Sequence, residues 1–118
     1  MRAIVAYVPD LMDRSRISGA IDSGGAQAGE GATVGGPVRF ARTPADLVEL
    51  AAAADLVVVD LSRPGVLDVL ADVSALGVSV IGFGSHVDTD TLTAARAAGC
   101  DQVLARSAFF GRLGELLG

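Results

Sequence analysis

The chain has 118 residues, of which 51% are hydrophobic, and nine basic against fourteen acidic side chains give a net charge of −5. This length is expected to form a single domain, 1–118, with enough apolar material for a core without disulfide staples. The nine basic residues are all Arg and form no dense cluster, which argues against nucleic-acid binding by the chain alone; the lone Cys100 excludes an internal disulfide and a cysteine metal site.

No apolar run approaches the ~18 residues of a membrane span, and no charged-then-apolar leader opens the chain. A soluble, cytoplasmic protein is therefore expected. With four Phe, one Tyr and no Trp, the core must be built mainly from Ala, Val and Leu.

Ala3–Val8 is a short apolar run closed by Pro9, which predicts a strand. Leu11, Ile17 and Ile21 then recur with a weak helical period. Ser23 to Gly36 contains six glycines and almost no large side chain, the composition of a flexible connector; it lacks the Gly-Lys-Ser/Thr ending of a phosphate loop. Pro37 to Ala41 is a short strand, placed at a sheet edge by its proline.

Thr43-Pro44-Ala45-Asp46 opens a helix that runs to about Ala54, with Thr as cap, Pro in the first helical position and an acid in the first turn. Leu56–Val59 is a continuous apolar strand, as a buried parallel sheet requires. Val66 to Leu76 has helical apolar spacing and stops at Gly77. Val78–Phe83 is the next strand, and a helix capped by Asp88 or Thr89 runs to Ala98 before Gly99. Gln102–Ala105 is the last strand, and Ser107 is expected to cap a final helix bearing Phe109, Phe110, Leu113, Leu116 and Leu117.

Five strands alternating with five helices predict an α/β fold: a five-stranded parallel doubly wound sheet of flavodoxin-like order 2-1-3-4-5. Ligands of such sheets bind outside the carboxyl ends of the strands. That rule selects Pro9, Asp10, Asp60, Gly84, Ser85, His86, Arg106 and Ser107 as the candidate pocket.

Each candidate has two readings. Asp60 either forms a pocket or bonds neighbouring backbone N–H groups in a turn. Asp10 either lines that pocket or caps the first helix. Arg106 either makes a two-point pair with Asp60, which would occupy the carboxylate, or points to solvent. Ser85 and His86 are adjacent but fit no nucleophile elbow, which leaves His86 as a loop or rim residue. Cys100, in a turn before a strand, reads as a small buried hydrophobe.

Val57-Val58-Val59-Asp60, followed by Pro64, resembles the phosphoacceptor segment of response-regulator receiver domains, and Ala98-Gly99-Cys100-Asp101 resembles their turn into the last strand. Arg14 and Ile17 also fall where that family has a basic and an apolar residue. The resemblance covers nearly the whole chain and implies Asp60 as phosphoacceptor position, with a divalent metal held beside it.

Several family positions differ. The acidic pair after the first strand reads Pro9-Asp10, Gly84 replaces the Thr or Ser after the fourth strand with Ser85 one place later, Arg106 replaces the lysine, and Ser107 replaces the proline that follows it. With only Asp10 and Asp60 as ligands, Mg²⁺ binding is expected to be weak and no other cofactor is expected.

The leading expectation is an atypical, non-enzymatic regulatory domain that acts through protein–protein contact without efficient Asp phosphorylation. The alternatives are a working phosphoacceptor with Asp60 as nucleophile, and a small ligand-binding protein or enzyme using the strand-end pocket. Adjacent helical positions lie about 100° apart, so one of Phe109 and Phe110 is expected at a boundary, with Leu113, where a protein partner or a second copy covers it. No membrane contact is expected.

Overall fold

The computed structural model describes residues 3–24 and 38–117. The glycine-rich connector therefore lies almost wholly outside the described residues, as does Pro37. Elements follow in the order β1 (Ile4–Tyr7), α1 (Leu11–Gly24), β2 (Val38–Phe40), α2 (Pro44–Ala51), β3 (Leu56–Asp60), α3 (Val66–Ser74), β4 (Ser79–Gly84), α4 (Thr89–Ala97), β5 (Gln102–Ala105), α5 (Arg106–Gly111) and α6 (Leu113–Leu117). The strands form one parallel sheet in the order β2-β1-β3-β4-β5.

Side chains alternate across this sheet, as the period of two requires. Ile4, Ala6, Leu56, Val58, Ile81 and Phe83 pack with Ile17 and Ile21 of α1 and with Phe109, Leu113 and Leu116. On the opposite face Val5, Tyr7, Val57, Val59 and Val80 pack with Leu47 of α2, Leu70 of α3 and Leu92 of α4. The β3 strand is buried along its whole length. That explains its unbroken apolar run: both faces are covered by helices.

Local chemistry sets the helix limits. Thr43 Oγ1 accepts from the Asp46 N–H at 3.0 Å, and Asp88 Oδ1 accepts from the Thr91 N–H at 3.3 Å. Gly77 and Gly99 take positive φ where α3 and α4 give way to the next strands. A Cβ on Gly99 would lie 2.6 Å from Ser74 Oγ, so this turn tolerates only glycine.

The C-terminal segment departs from expectation in two ways. It is two short helices rather than one, because Arg112 (φ −122°, ψ 22°) leaves the helical region between Gly111 and Gly114. Its first helix is flanked by Ala105 with no side-chain cap, so Ser107 lies inside the first turn instead of capping it.

Candidate functional site: the carboxyl edge of the sheet

Asp60 ends β3 at the centre of the sheet, and its side chain is almost fully buried. The chain then turns sharply. The Leu61 N–H donates to the Phe83 carbonyl at 2.8 Å, and Leu61 buries itself over Gly82, where an added Cβ would meet it at 2.9 Å. The missing side chain on β4 is what lets the segment after Asp60 dip into the core.

The Asp60 carboxylate is satisfied by its own loop. Oδ1 accepts from the Ser62 N–H at 3.0 Å and from the Ser62 hydroxyl at 2.6 Å. Oδ2 accepts from Arg63 Nε at 3.2 Å. A buried carboxylate needs such partners, since an unpaired one would carry a large desolvation penalty.

Arg106 does not pair with Asp60. Its guanidinium grips Asp13 in a two-point pair, with Nη1 donating to Oδ2 at 2.8 Å and Nη2 donating to Oδ1. Asp13 is buried, whereas about half of the Arg106 side chain reaches solvent. The reason is positional. Asp13, Ile17 and Ile21 recur at i, i+4 and i+8, so α1 turns an acid inward on its apolar stripe, directly toward the first residue of α5. This pair, led by its hydrogen bonds, raises the Arg106 pKa above its ordinary value, and the nearby carboxylates of Asp60 and Asp10 add to the effect. Asp13 was not among the sequence candidates, although an acid on that apolar stripe was a readable signal.

Asp10 serves as the cap of α1. Its Oδ1 accepts from the Asp13 N–H at 3.0 Å. That bond holds its pKa below the ordinary value, with smaller contributions from the Met12 N–H and from Arg106 and Arg63.

An open cleft of about 460 Å³ lies beside Asp60. Asp60 and Ser62 at the end of β3 and beyond, Phe83 to His86 at the end of β4 and beyond, and Arg106 and Ser107 after β5 line it. The edge therefore gathers Asp60, Gly84, Ser85, His86, Arg106 and Ser107, while Asp10 stays outside. Ser85 Oγ accepts from the Val87 N–H at 3.3 Å, within its own turn.

The donor set does not fit the Mg²⁺ or Mn²⁺ site that this fold suggests. Asp10 caps a helix, Asp13 is bound to Arg106, and Asp60 already holds Arg63 and Ser62. Among the described residues no three of His, Cys, Asp and Glu are grouped as metal ligands. A hard divalent cation would have to displace a guanidinium that is already in place.

Phe109, Phe110 and Leu113 do not form an exposed face, which corrects the expected interface. Phe109 is fully buried, stacked on Phe83 at 4.5 Å between centroids with 9° between the planes. Phe110 is 8% exposed and packs edge-on against both of those rings. A helix facing a sheet buries an arc wider than 100°, and the Phe110 ring is further covered by the guanidiniums of Arg16 at 4.2 Å and Arg106 at 4.8 Å from its centroid. The exposed large apolar side chains include Leu11 and Met12 of α1 and Val87 after β4. Among the described residues no helix is long and apolar enough to cross a membrane.

No family model matches the sequence, and no curated protein matches it. Solved structures do match. A response regulator from Hahella chejuensis superposes with a TM-score of 0.76 at 18% identity, over 98% of this chain and 92% of that one. The phosphorylated cyanobacterial phytochrome response regulator RcpA gives 0.70 at 17% identity, over 98% and 87%. The Mn²⁺-bound form of response regulator Rcp1 gives 0.71 at 14% identity, over 98% and 91%. Sheet order, helix placement and an aspartate at the end of β3 thus converge: the chain has the fold of response-regulator receiver domains.

Proposed function

We propose that this chain is a pseudo-receiver: a regulatory module that works through protein contacts and does not depend on ordinary phosphorylation of Asp60. One observation carries the reading. The carboxylate at the phosphoacceptor position is occupied by Ser62 and Arg63, while the cation in the lysine position is committed to Asp13. A carboxylate that accepts three hydrogen bonds, one of them charge-assisted, is a poor nucleophile. The residues that would gather a metal and a phosphoryl group are each engaged elsewhere: Asp60 with Ser62 and Arg63, Asp10 with the α1 terminus, and Arg106 with Asp13.

A protein partner, or a second copy, fits this reading better than catalysis does. Leu11, Met12 and Val87 all follow carboxyl ends of strands and stand about three-quarters exposed. The place of action we propose is the cytoplasm.

The open cleft beside Asp60 favours the alternative of a working phosphoacceptor. One experiment separates the two. The chain is incubated with acetyl phosphate and Mg²⁺ and its intact mass is measured. The proposal expects no phosphoryl adduct in the native chain and none in Asp60→Asn. A stoichiometric adduct that is lost in Asp60→Asn would establish the phosphoacceptor instead.

A further inference from the structure

A second groove, of about 390 Å³, lies on the other side of Arg106. Arg16 of α1 and Arg106, Ser107, Phe110 and Gly111 of α5 line it. Both guanidiniums sit over the same aromatic ring, Phe110, at 4.2 and 4.8 Å. Two like charges on one ring repel each other, and among the described residues the one carboxylate bonded to either is Asp13, which takes one bond from each Nη of Arg106. Arg16 forms no ion pair among the described residues. Among the described residues the groove thus gathers two guanidiniums with one bonded carboxylate, on a chain whose net charge is −5.

From this geometry we infer that the groove between α1 and α5 is a binding site for a small oxoanion, a phosphate or a carboxylate. A guanidinium has five N–H donors arranged as a planar fork. Asp13 uses one fork of Arg106 and leaves its other donors available, while Arg16 pairs with no acid among the described residues. Ser107 adds a hydroxyl, and Gly111 leaves the groove floor without a side chain. Contact with the Phe110 ring restrains both cations, so little side-chain freedom is lost on binding. A volume of this size suits a small molecule.

Arg106 and Ser107 also line the cleft beside Asp60, so an anion in the groove touches the wall that the two cavities share. Occupancy would pull the Arg106 guanidinium away from the Asp60 side. The site does not depend on whether Asp60 is phosphorylated.

The test is titration of the intact chain, followed by calorimetry and by amide shifts in solution, with inorganic phosphate in one arm and succinate in the other. Arg16→Gln changes an exposed residue and leaves the Asp13–Arg106 pair in place. Arg96→Gln removes the same charge from α4. The expected result is saturable binding at one site, with amide shifts at Ser107 and Gly111, weakened about tenfold by Arg16→Gln and unchanged by Arg96→Gln. The arm that binds identifies the anion class. Two outcomes would overturn the inference: no saturable binding in either arm, or binding that Arg16→Gln weakens no more than Arg96→Gln does.

Discussion

Replacing Arg106 by methionine keeps an aliphatic stem above Phe110 and removes the guanidinium that holds Asp13. The magnitude follows from the two ends of the pair. An exposed ion pair contributes about 0.2–1 kcal/mol, and breaking a fully buried one costs about 3–5 kcal/mol. Here the acid is buried, with 3% of its side chain exposed, and the base is 48% exposed. The cost of Arg106→Met should therefore fall between those limits, at about 2 kcal/mol, together with the loss of a cation–π contact worth about 0.5–1 kcal/mol.

Most of that cost is the burial of an unanswered carboxylate rather than the loss of an attraction. A second substitution should then undo it. Asp13→Leu in the Arg106→Met background extends the apolar stripe of Ile17 and Ile21 and should recover about half or more of the lost stability. Urea denaturation of the four chains measures this directly, and a thermal scan should show about 3–6 °C per kcal/mol at this chain length. If Arg106→Met changes stability by less than about 0.5 kcal/mol, Asp13 has another route to satisfaction and the reasoning fails. It also fails if the double variant is as unstable as the two single losses added together.

Other outcomes follow from the same structure. Gly82→Ala should destabilise by about 1–3 kcal/mol through overlap with Leu61, and Leu61→Ala in the same chain should relieve part of that strain, as read by denaturant midpoint. Asp10→Ala removes the α1 cap, and because the folded pKa of Asp10 lies below its ordinary 3.8, the stabilisation is complete above that value and fades as the pH falls through the folded one. The difference in melting temperature between the native chain and Asp10→Ala should therefore shrink on acidification below pH 3.8; a gap that widens there would contradict the capping role. Burial pushes the Cys100 thiol up to about 11, with Asp101 adding to it. Its reaction with a disulfide reagent near neutral pH should be slow until the chain is unfolded.

How far the sequence could be read depended on whether the signal was local. The strand at Val57-Val58-Val59, the caps at Thr43 and Asp88, and the left-handed Gly77 and Gly99 all express neighbouring residues, and the structure places each where its local chemistry requires. Alternation and handedness gave a parallel doubly wound sheet, and its order was the flavodoxin-like one expected at this length. The pairing of Arg106 did not, because several acids lie near it and only the rotation of α1 selects Asp13 over Asp60. Arg63 took the place at Asp60 from three residues away, a short-range partner that attention to Arg106 had hidden. The phenylalanine pair misled for a related reason. Angular separation says how far apart two side chains point, but not how wide an arc the sheet and two arginines can cover.

The Asp13–Arg106 pair has a temporal side as well. Its members stand 93 residues apart, one in the first helix and the other opening α5 just after the last strand. Closing so large a loop early would be entropically unfavourable before the intervening strands are aligned. The pair is therefore expected to form late in assembly and to be absent from the transition state. Its loss would then appear almost entirely as faster unfolding, with the refolding rate nearly unchanged. On that expectation, Arg106 would act as a latch on the lifetime of the folded chain, joining α1 to α5.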